Sequence, residues 1–485
     1  MLDMRMTAAA AVAALLTAPP VWAQADKKPA PAPPATKASE KPKDGDKPAD
    51  EKIPEIEEAG ELLRAGKVDK ALDRLGDARK TRPELPPVKV MLARMLLSGG
   101  NAPAGRQFLE QAAVDEPEHP EVFLTFGQLA LAEGRVTDAL VMLERAKAAP
   151  FPPAMPNKKR DEVAALIRSG TASAYEARRD WKSAAAQLGE VLKLETRPKE
   201  AAGVRQRLGR AMFFLGKPDE AFAELTKAAA ADAGLEPPAV SMGRLHTLRA
   251  AETEARKTQT VPLPTTEPAV DPAEDLKKAE EWMRRAVKDS PKVVRAHLGL
   301  AGWLLDQGRV DEASKAVAEA AVLEPSSVDV RRLQGLIARR ARDLPAAEKL
   351  FEGLYRESPS DLFHALQLAL ALAEQDDQKK RERALELAQV AVRLRQNDAE
   401  VLAVAGWVAY KAGRLDDAER ALQAAAADGQ VSSDQAYWMA HVLFDRGRLS
   451  EVQNLLKQAL ADTKRFTYRK EAEAWQKRLT TKGSP

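Results

Sequence analysis

The stretch LLDQGRVDEASKAVAEAAVLEP, Leu304–Pro325, decides the fold. It reads as the end of one helix, a turn on Gly308 and a second helix closed by Glu324-Pro325. Leu300, Ala301 and Leu304 share one face of the first helix, and Ala313, Val317 and Ala320 form the stripe of the second at i, i+4, i+7. Glycine just past a helix end takes a left-handed conformation at little cost, and a residue before proline leaves the α region. The small side chains of Ala301 and Ala313 predict a close approach of the two helices.

Near copies of this phrase stand at LLRAGKVDKALDRL (Leu62–Leu75), AYKAGRLDDAERAL (Ala409–Leu422) and LFDRGRLSEVQNLL (Leu443–Leu456). Gly66, Gly100 and Gly134 are 34 residues apart (100−66, 134−100), and Pro291, Pro325 and Pro359 keep the same interval. A repeat of that length is one helical hairpin, which cannot bury its own apolar flank and needs a neighbour to cover it.

On these residues the chain resembles the tetratricopeptide-repeat (TPR) family, whose unit has 34 residues with small side chains where the helices cross and a proline near the end. The resemblance covers about Ile53 to Leu479 and implies an all-α fold: a right-handed TPR solenoid of about eleven helical hairpins. The units begin near residues 52, 86, 120, 165, 202, 236, 294, 328, 362, 399 and 433. FTYRKEAEAWQKRL places Tyr468, Ala472, Trp475 and Leu479 on one face, as a capping helix requires.

Three segments depart from the period. FPPAMPNKKRDEV, Phe151–Val163, reads as an insertion between the third and fourth units. The sixth hairpin is interrupted by a Pro/Thr-rich loop over 258–275, and QDDQKKRERA, Gln375–Ala384, adds three residues to the ninth turn. The expected organisation is therefore a signal peptide over 1–23, a tether over 24–52 and units 1–3 over 53–150. Units 4 and 5 with the first helix of unit 6 fill 151–257, and the loop 258–275 follows. The rest of unit 6 and units 7–11 fill 276–463, with the cap and tail over 464–485.

The 75 basic and 72 acidic residues of the 485-residue chain nearly cancel, which points to neither nucleic acid nor an anionic membrane as principal partner. Cysteine is absent, so disulfides, thiol catalysis and thiolate metal sites are excluded, and no acyl anchor on an N-terminal cysteine is expected. At the N-terminus Arg5, an apolar run from Ala8 to Leu16, Pro19-Pro20 and Val21-Trp22-Ala23 have the layout of a secretory leader cleaved after Ala23. That run is too short to span a bilayer. Residues 24–52, rich in Pro, Lys and Ala, lack the apolar bulk to order themselves, and an extended tether of this length reaches on the order of 90 Å.

No phosphate-binding glycine loop, His-Glu-x-x-His or Gly-x-Ser-x-Gly is present, and His119, His246, His297, His364 and His441 fall in separate units without ligand spacing. Acids such as Asp311-Glu312 and Asp416-Asp417 recur at the start of second helices, where they complement the helix dipole. The expectation is a non-enzymatic protein with no cofactor and no metal. What remains is surface. The family resemblance implies a concave groove lined by first helices. In the last two units its positions carry Trp407, Tyr410, Lys411, Tyr437, His441 and Phe444, stiff aromatic anchors for a partner segment. In the seventh and eighth units they carry Arg295, Arg332, Arg339 and Arg340, which suit an acidic ligand. The alternative for both sets is that the aromatics seal neighbouring units and the arginines pair with acids on adjacent helices.

The resemblance and the leader together imply an exported, periplasmic scaffold that holds protein segments in a cell-envelope machine of motility, pilus, secretion or polysaccharide export. Two alternatives stand beside it: a periplasmic chaperone or activating subunit of a cell-wall enzyme, and a cytosolic TPR regulator that keeps its leader.

Overall fold

The computed structural model describes residues 53–257, 270–427, 429, 431–461 and 466–481. The expected leader and tether, most of the Pro/Thr-rich loop and the last four residues lie outside the described residues. Among the described residues there are twenty-three helices and no strand. Twenty-two of them follow one another as first and second helices of eleven units, and the last, Arg469–Thr481, stands alone after them.

The unit around Gly308 shows why. Its first helix, Val294–Asp306, ends as Gly308 turns to φ 74° and donates its N–H to the Leu305 carbonyl (3.0 Å), while Arg309 donates to Leu304 (2.9 Å). This paired closure satisfies carbonyls that the helix end would leave bare. The second helix, Val310–Leu323, stops where Glu324 adopts an extended φ of −139° before Pro325. Leu300, Ala301, Leu304, Ala313, Val317 and Ala320 are all buried, as the spacing predicts. Close approach is carried further by glycine in the next unit. A Cβ on Gly335 would stand 2.7 Å from the Phe351 ring, nearer than side chains pack.

The chain divides into two compact units, one ending at Leu276 and one beginning at Lys277. In the first, five hairpins run from Pro54 to Ala231, followed by the helix Pro238–Lys257 and the start of the helix Pro272–Asp289. The loop expected over 258–275 is shorter than read, because Pro272 opens that helix and Asp275 already belongs to its first turn. Proline suits a first helical position, where its missing N–H has no partner to lose. Asp275 then turns inward. Its carboxylate takes two hydrogen bonds from Arg249 (Nε 2.8 Å, Nη2 2.6 Å) and faces His246 Nδ1 at 2.8 Å, all three side chains being buried. This polar knot fastens the second helix of the sixth unit to its first.

Two other expectations are corrected. The fourth unit begins earlier than residue 165, since its first helix runs from Asn157 to Ala177 and absorbs the second half of the insertion. Nothing after Pro156 breaks a helix, so it propagates from there. Phe151–Pro156 remains as a loop, anchored by Arg160 Nε donating to the Met155 carbonyl at 2.8 Å. In the ninth unit the additional residues lengthen the second helix, Gln378–Leu394, more than the turn. Asp377 caps it by accepting from the Lys380 N–H, and Lys380 Nζ reaches back to Glu348 at 2.6 Å.

The second unit holds the remaining hairpins, Val294–Leu323, Val328–Glu357, Leu362–Leu394, Ala399–Ala425 and Ser433–Ala461, then the terminal helix. Tyr468, Ala472 and Trp475 are buried and Leu479 packs on the same core, so this helix seals the stack as expected.

Candidate partner-binding faces

Trp407, on the helix Ala399–Lys411, and Tyr437, on the helix Ser433–Asp445, were expected to stand open as anchors. They are only 3% and 7% exposed. The reason is the segment before the terminal helix. Tyr468 stacks on Tyr437 with ring centres 4.8 Å apart and meets the Trp407 edge at 5.9 Å. Its hydroxyl donates to the Glu374 carboxylate, which also accepts from Trp407 Nε1 (3.2 Å) and pairs with Arg342. Thr467 adds its N–H (2.8 Å) and hydroxyl (2.7 Å) to Asp434, and Phe466 closes on Tyr437. Burial pushes the Asp434 carboxyl above the usual range, although Arg339 pulls the other way. Residues 466–468 thus lie where a partner's aromatic segment was expected.

The other predicted aromatics join the same assembly. Tyr410 stacks on Trp407 at 5.3 Å, and burial followed by its Asp445 partner drives its phenol upward. Burial also raises the Tyr437 phenol to about 12. His441 packs 4.4 Å from Trp475, and burial, then the neighbouring Lys411 charge, lowers its imidazole to about 4. Lys411 holds its ammonium 5.5 Å from the Trp407 ring centre, with burial lowering its affinity for the proton. Phe444 stays 42% exposed at the rim, edge-on to Trp475. Trp438, parallel to Trp407 at 5.7 Å, belongs to the assembly although it was absent from the expected set.

The predicted arginines do not form one open trough. Arg332 is buried and committed, its Nη2 donating to Asp361 (2.5 Å) and its Nε to His364 Nε2 (2.6 Å). An acid on the adjacent helix takes the place of a ligand. Arg295 is exposed and Arg340 half-buried. Arg339 keeps Nε and Nη1 buried without a hydrogen-bond partner.

A second cluster, in the first unit, escaped the sequence reading. Trp181 and Phe214 stack face to face at 4.6 Å. Arg179 lies over both rings (5.6 and 5.3 Å) and pairs with Glu252 at 2.5 Å. Arg207 binds Glu176 at 2.9 Å and the hydroxyls of Ser169 and Ser173 at 2.8 Å each. Arg210 lies over the same two rings, 5.5 Å from Trp181 and 6.0 Å from Phe214. Its signal in the sequence was the turn: at the phase where Gly66, Gly100, Gly134, Gly216, Gly308, Gly413 and Gly447 all have positive φ, the fourth unit has Arg179 (φ 59°) and the eighth Arg342 (φ 66°). A non-glycine residue held left-handed costs about 1–2 kcal/mol, and such strain marks places where the side chain itself is needed.

Models of the tetratricopeptide repeat match residues 62–123 and, in two overlapping spans, 273–322 and 303–361. Over those residues the chain carries tetratricopeptide repeats. Such TPR repeats make it a protein–protein interaction scaffold by fold. None of the curated proteins matches it. Among solved structures, yeast Tom70 is 14% identical, covering 88% of this chain and 95% of its own at a TM-score of 0.32. A thermophilic TPR protein in Thermus thermophilus is 19% identical over 39% of this chain and 100% of its own (TM-score 0.33). Pseudomonas aeruginosa pilF is 19% identical over 47% and 92% (TM-score 0.31). At such scores these likenesses add nothing to the family assignment. No described helix of this TPR chain is long and apolar enough to cross a membrane, and no group of acidic or histidine side chains among the described residues gathers to hold a metal.

Proposed function

We propose that the protein is an exported, non-enzymatic scaffold that works in the periplasm, holding segments of other proteins together in a cell-envelope machine. The observation that carries the binding role is the division of labour in its hairpins. Second-helix stripes such as Ala313, Val317 and Ala320 are consumed by the stack, while first helices also present charged groups such as Arg207 and Arg210 that only half bury. Export rests on the leader-like run before Ala23. Several weak contacts along successive hairpins, with the Pro-rich tether setting reach, give usable affinity without one dominant pocket.

The experiment is photo-crosslinking in intact cells from a reactive residue placed at Arg205 or Arg295, combined with mass determination of the mature N-terminus. A chain starting at Gln24 and a small reproducible set of envelope proteins is expected. An uncut leader, or crosslinks spread over many unfolded clients, overturns the periplasmic scaffold in favour of a cytosolic regulator or a chaperone.

A further inference from the structure

Arg210 stands apart from the arginines around it. Arg179 has Glu252 and Arg207 has Glu176, each at hydrogen-bond distance. Among the described residues Arg210 meets no acceptor at any of its nitrogens. Its Nε is buried, and its remaining contacts are the faces of Trp181 and Phe214. The charged groups that act on it are Glu176, Glu252, Arg179 and Arg207, so with Arg210 itself the cluster holds three cations and two anions. Its Nε is shut away from water with no acceptor, which is costly, while the rest of the half-buried fork stays open to a ligand that could complete it. The stacked rings beneath it are already parallel and fixed, so the planar fork is oriented before any ligand arrives.

We propose that Arg210, with Trp181 and Phe214 beneath it, is a binding site for the carboxylate side chain of an acidic segment in a partner protein. The missing charge is a single negative one, and the fork accepts a carboxylate through two parallel N–H···O bonds. A polypeptide suits the site better than a free inorganic anion because Glu252, beside it, keeps its Oε1 buried without a donor. That oxygen repels a bare anion, whereas a polypeptide also carries N–H donors. Arg179 explains its own strained backbone here. By pairing with Glu252 and covering the ring pair, it neutralises the competitor and leaves Arg210 as the positive end. Arg339 in the second unit also has orphaned nitrogens, but Glu400 and Asp434 already lie within its field, so no charge is missing there.

This inference rests on the partner-binding reading above and names the ligand chemistry of one face. The full mature chain is titrated with an acetylated, amidated octapeptide of alternating Glu and Phe, followed by fluorescence anisotropy. Controls are the same peptide with Gln for Glu, and a Gln–Phe peptide with a free C-terminus. Binding of the Glu peptide by the native chain, weakened about tenfold or more in Arg210→Gln, partly kept in Arg210→Lys and reduced by salt, is the expected result. Thermal melts of each variant show whether it is folded, and Arg331→Gln, in the second unit, serves as a charge-matched control that should bind normally. Equal affinity in native and Arg210→Gln chains, or no binding of the Glu peptide by the native chain, overturns the proposal. Binding of the free-C-terminus peptide alone also overturns it, by making a chain end the ligand. If these titrations fail while crosslinked partners persist in cells, the scaffold reading stands without this site.

Discussion

Tyr468 hydrogen-bonds Glu374 across ninety-four residues of sequence, joining the segment before the terminal helix to the end of a helix three units earlier. Glu374 is nearly inaccessible and serves Arg342 and Trp407 as well. Glu374→Gln removes the charge from this junction and leaves the partly exposed Arg342 guanidinium only its longer pair with Glu471 (3.4 Å), so it should destabilise the second unit by about 2 kcal/mol. Tyr468→Phe, which removes one hydroxyl, should cost about 1 kcal/mol. The two should be non-additive in denaturant titrations. Purely additive losses would show that the bond contributes nothing of its own.

The left-handed arginines separate backbone strain from side-chain use. Arg342→Gly and Arg342→Ala both lose Glu374 and the Tyr468 ring, which lies 5.2 Å away. Only glycine releases the strained φ of 66°. The glycine variant should therefore be more stable than the alanine variant by about 1 kcal/mol, while both remain below the native chain. Equilibrium unfolding monitored by circular dichroism checks the order.

His441 predicts an acid-side weakness. Its folded pKa is depressed to about 4 from 6.5, so the folded protein holds the neutral ring while an unfolded chain takes up a proton. The contribution is complete above pH 6.5 and is lost as pH falls toward 4, amounting to at most about 3 kcal/mol. Asp434 and Glu400, whose carboxyls are raised, act in the opposite sense on acidification. The readout is accordingly the difference between the native chain and His441→Phe. It should favour the native chain less at pH 4.5 than at pH 7.

Asp275→Ala should leave Arg249 and His246 facing each other in a buried site without their anion. A loss of about 3–5 kcal/mol follows from breaking such a pair. Limited proteolysis should then cut within the helix Pro272–Asp289, which the native chain protects. Unchanged resistance would mean that the knot does not hold this helix.

The repeat was legible because it is local. Gly308, Pro325 and the stripe Ala313, Val317, Ala320 act within one hairpin, and each copy restates the same physics. Trp407 was misjudged for the opposite reason. Its helix position marks a face, but its cover comes from Tyr468, sixty-one residues later (468−407), and no local pattern encodes that visit. Arg332 was likewise taken for surface until Asp361 and His364 enclosed it. Asp275 was placed in a loop because the surrounding prolines outweighed Pro272 as a helix opener. Arg179 carried a readable signal, an arginine at the phase of the recurring glycine turn, whose meaning depends on Glu252 seventy-three residues away.

The bond from Tyr468 to Glu374 also changes how the second unit comes apart. Repeat arrays ordinarily fray from their tips, one hairpin releasing after another because each holds only its neighbours. A tie that skips over two hairpins forbids this stepwise peeling: the segment that leads into the terminal helix cannot let go without disturbing Glu374, and Glu374 cannot relax while Tyr468 is seated. Amide hydrogens of the described helices between Leu362 and Trp475 should therefore exchange as one cooperative block rather than along a gradient toward the end.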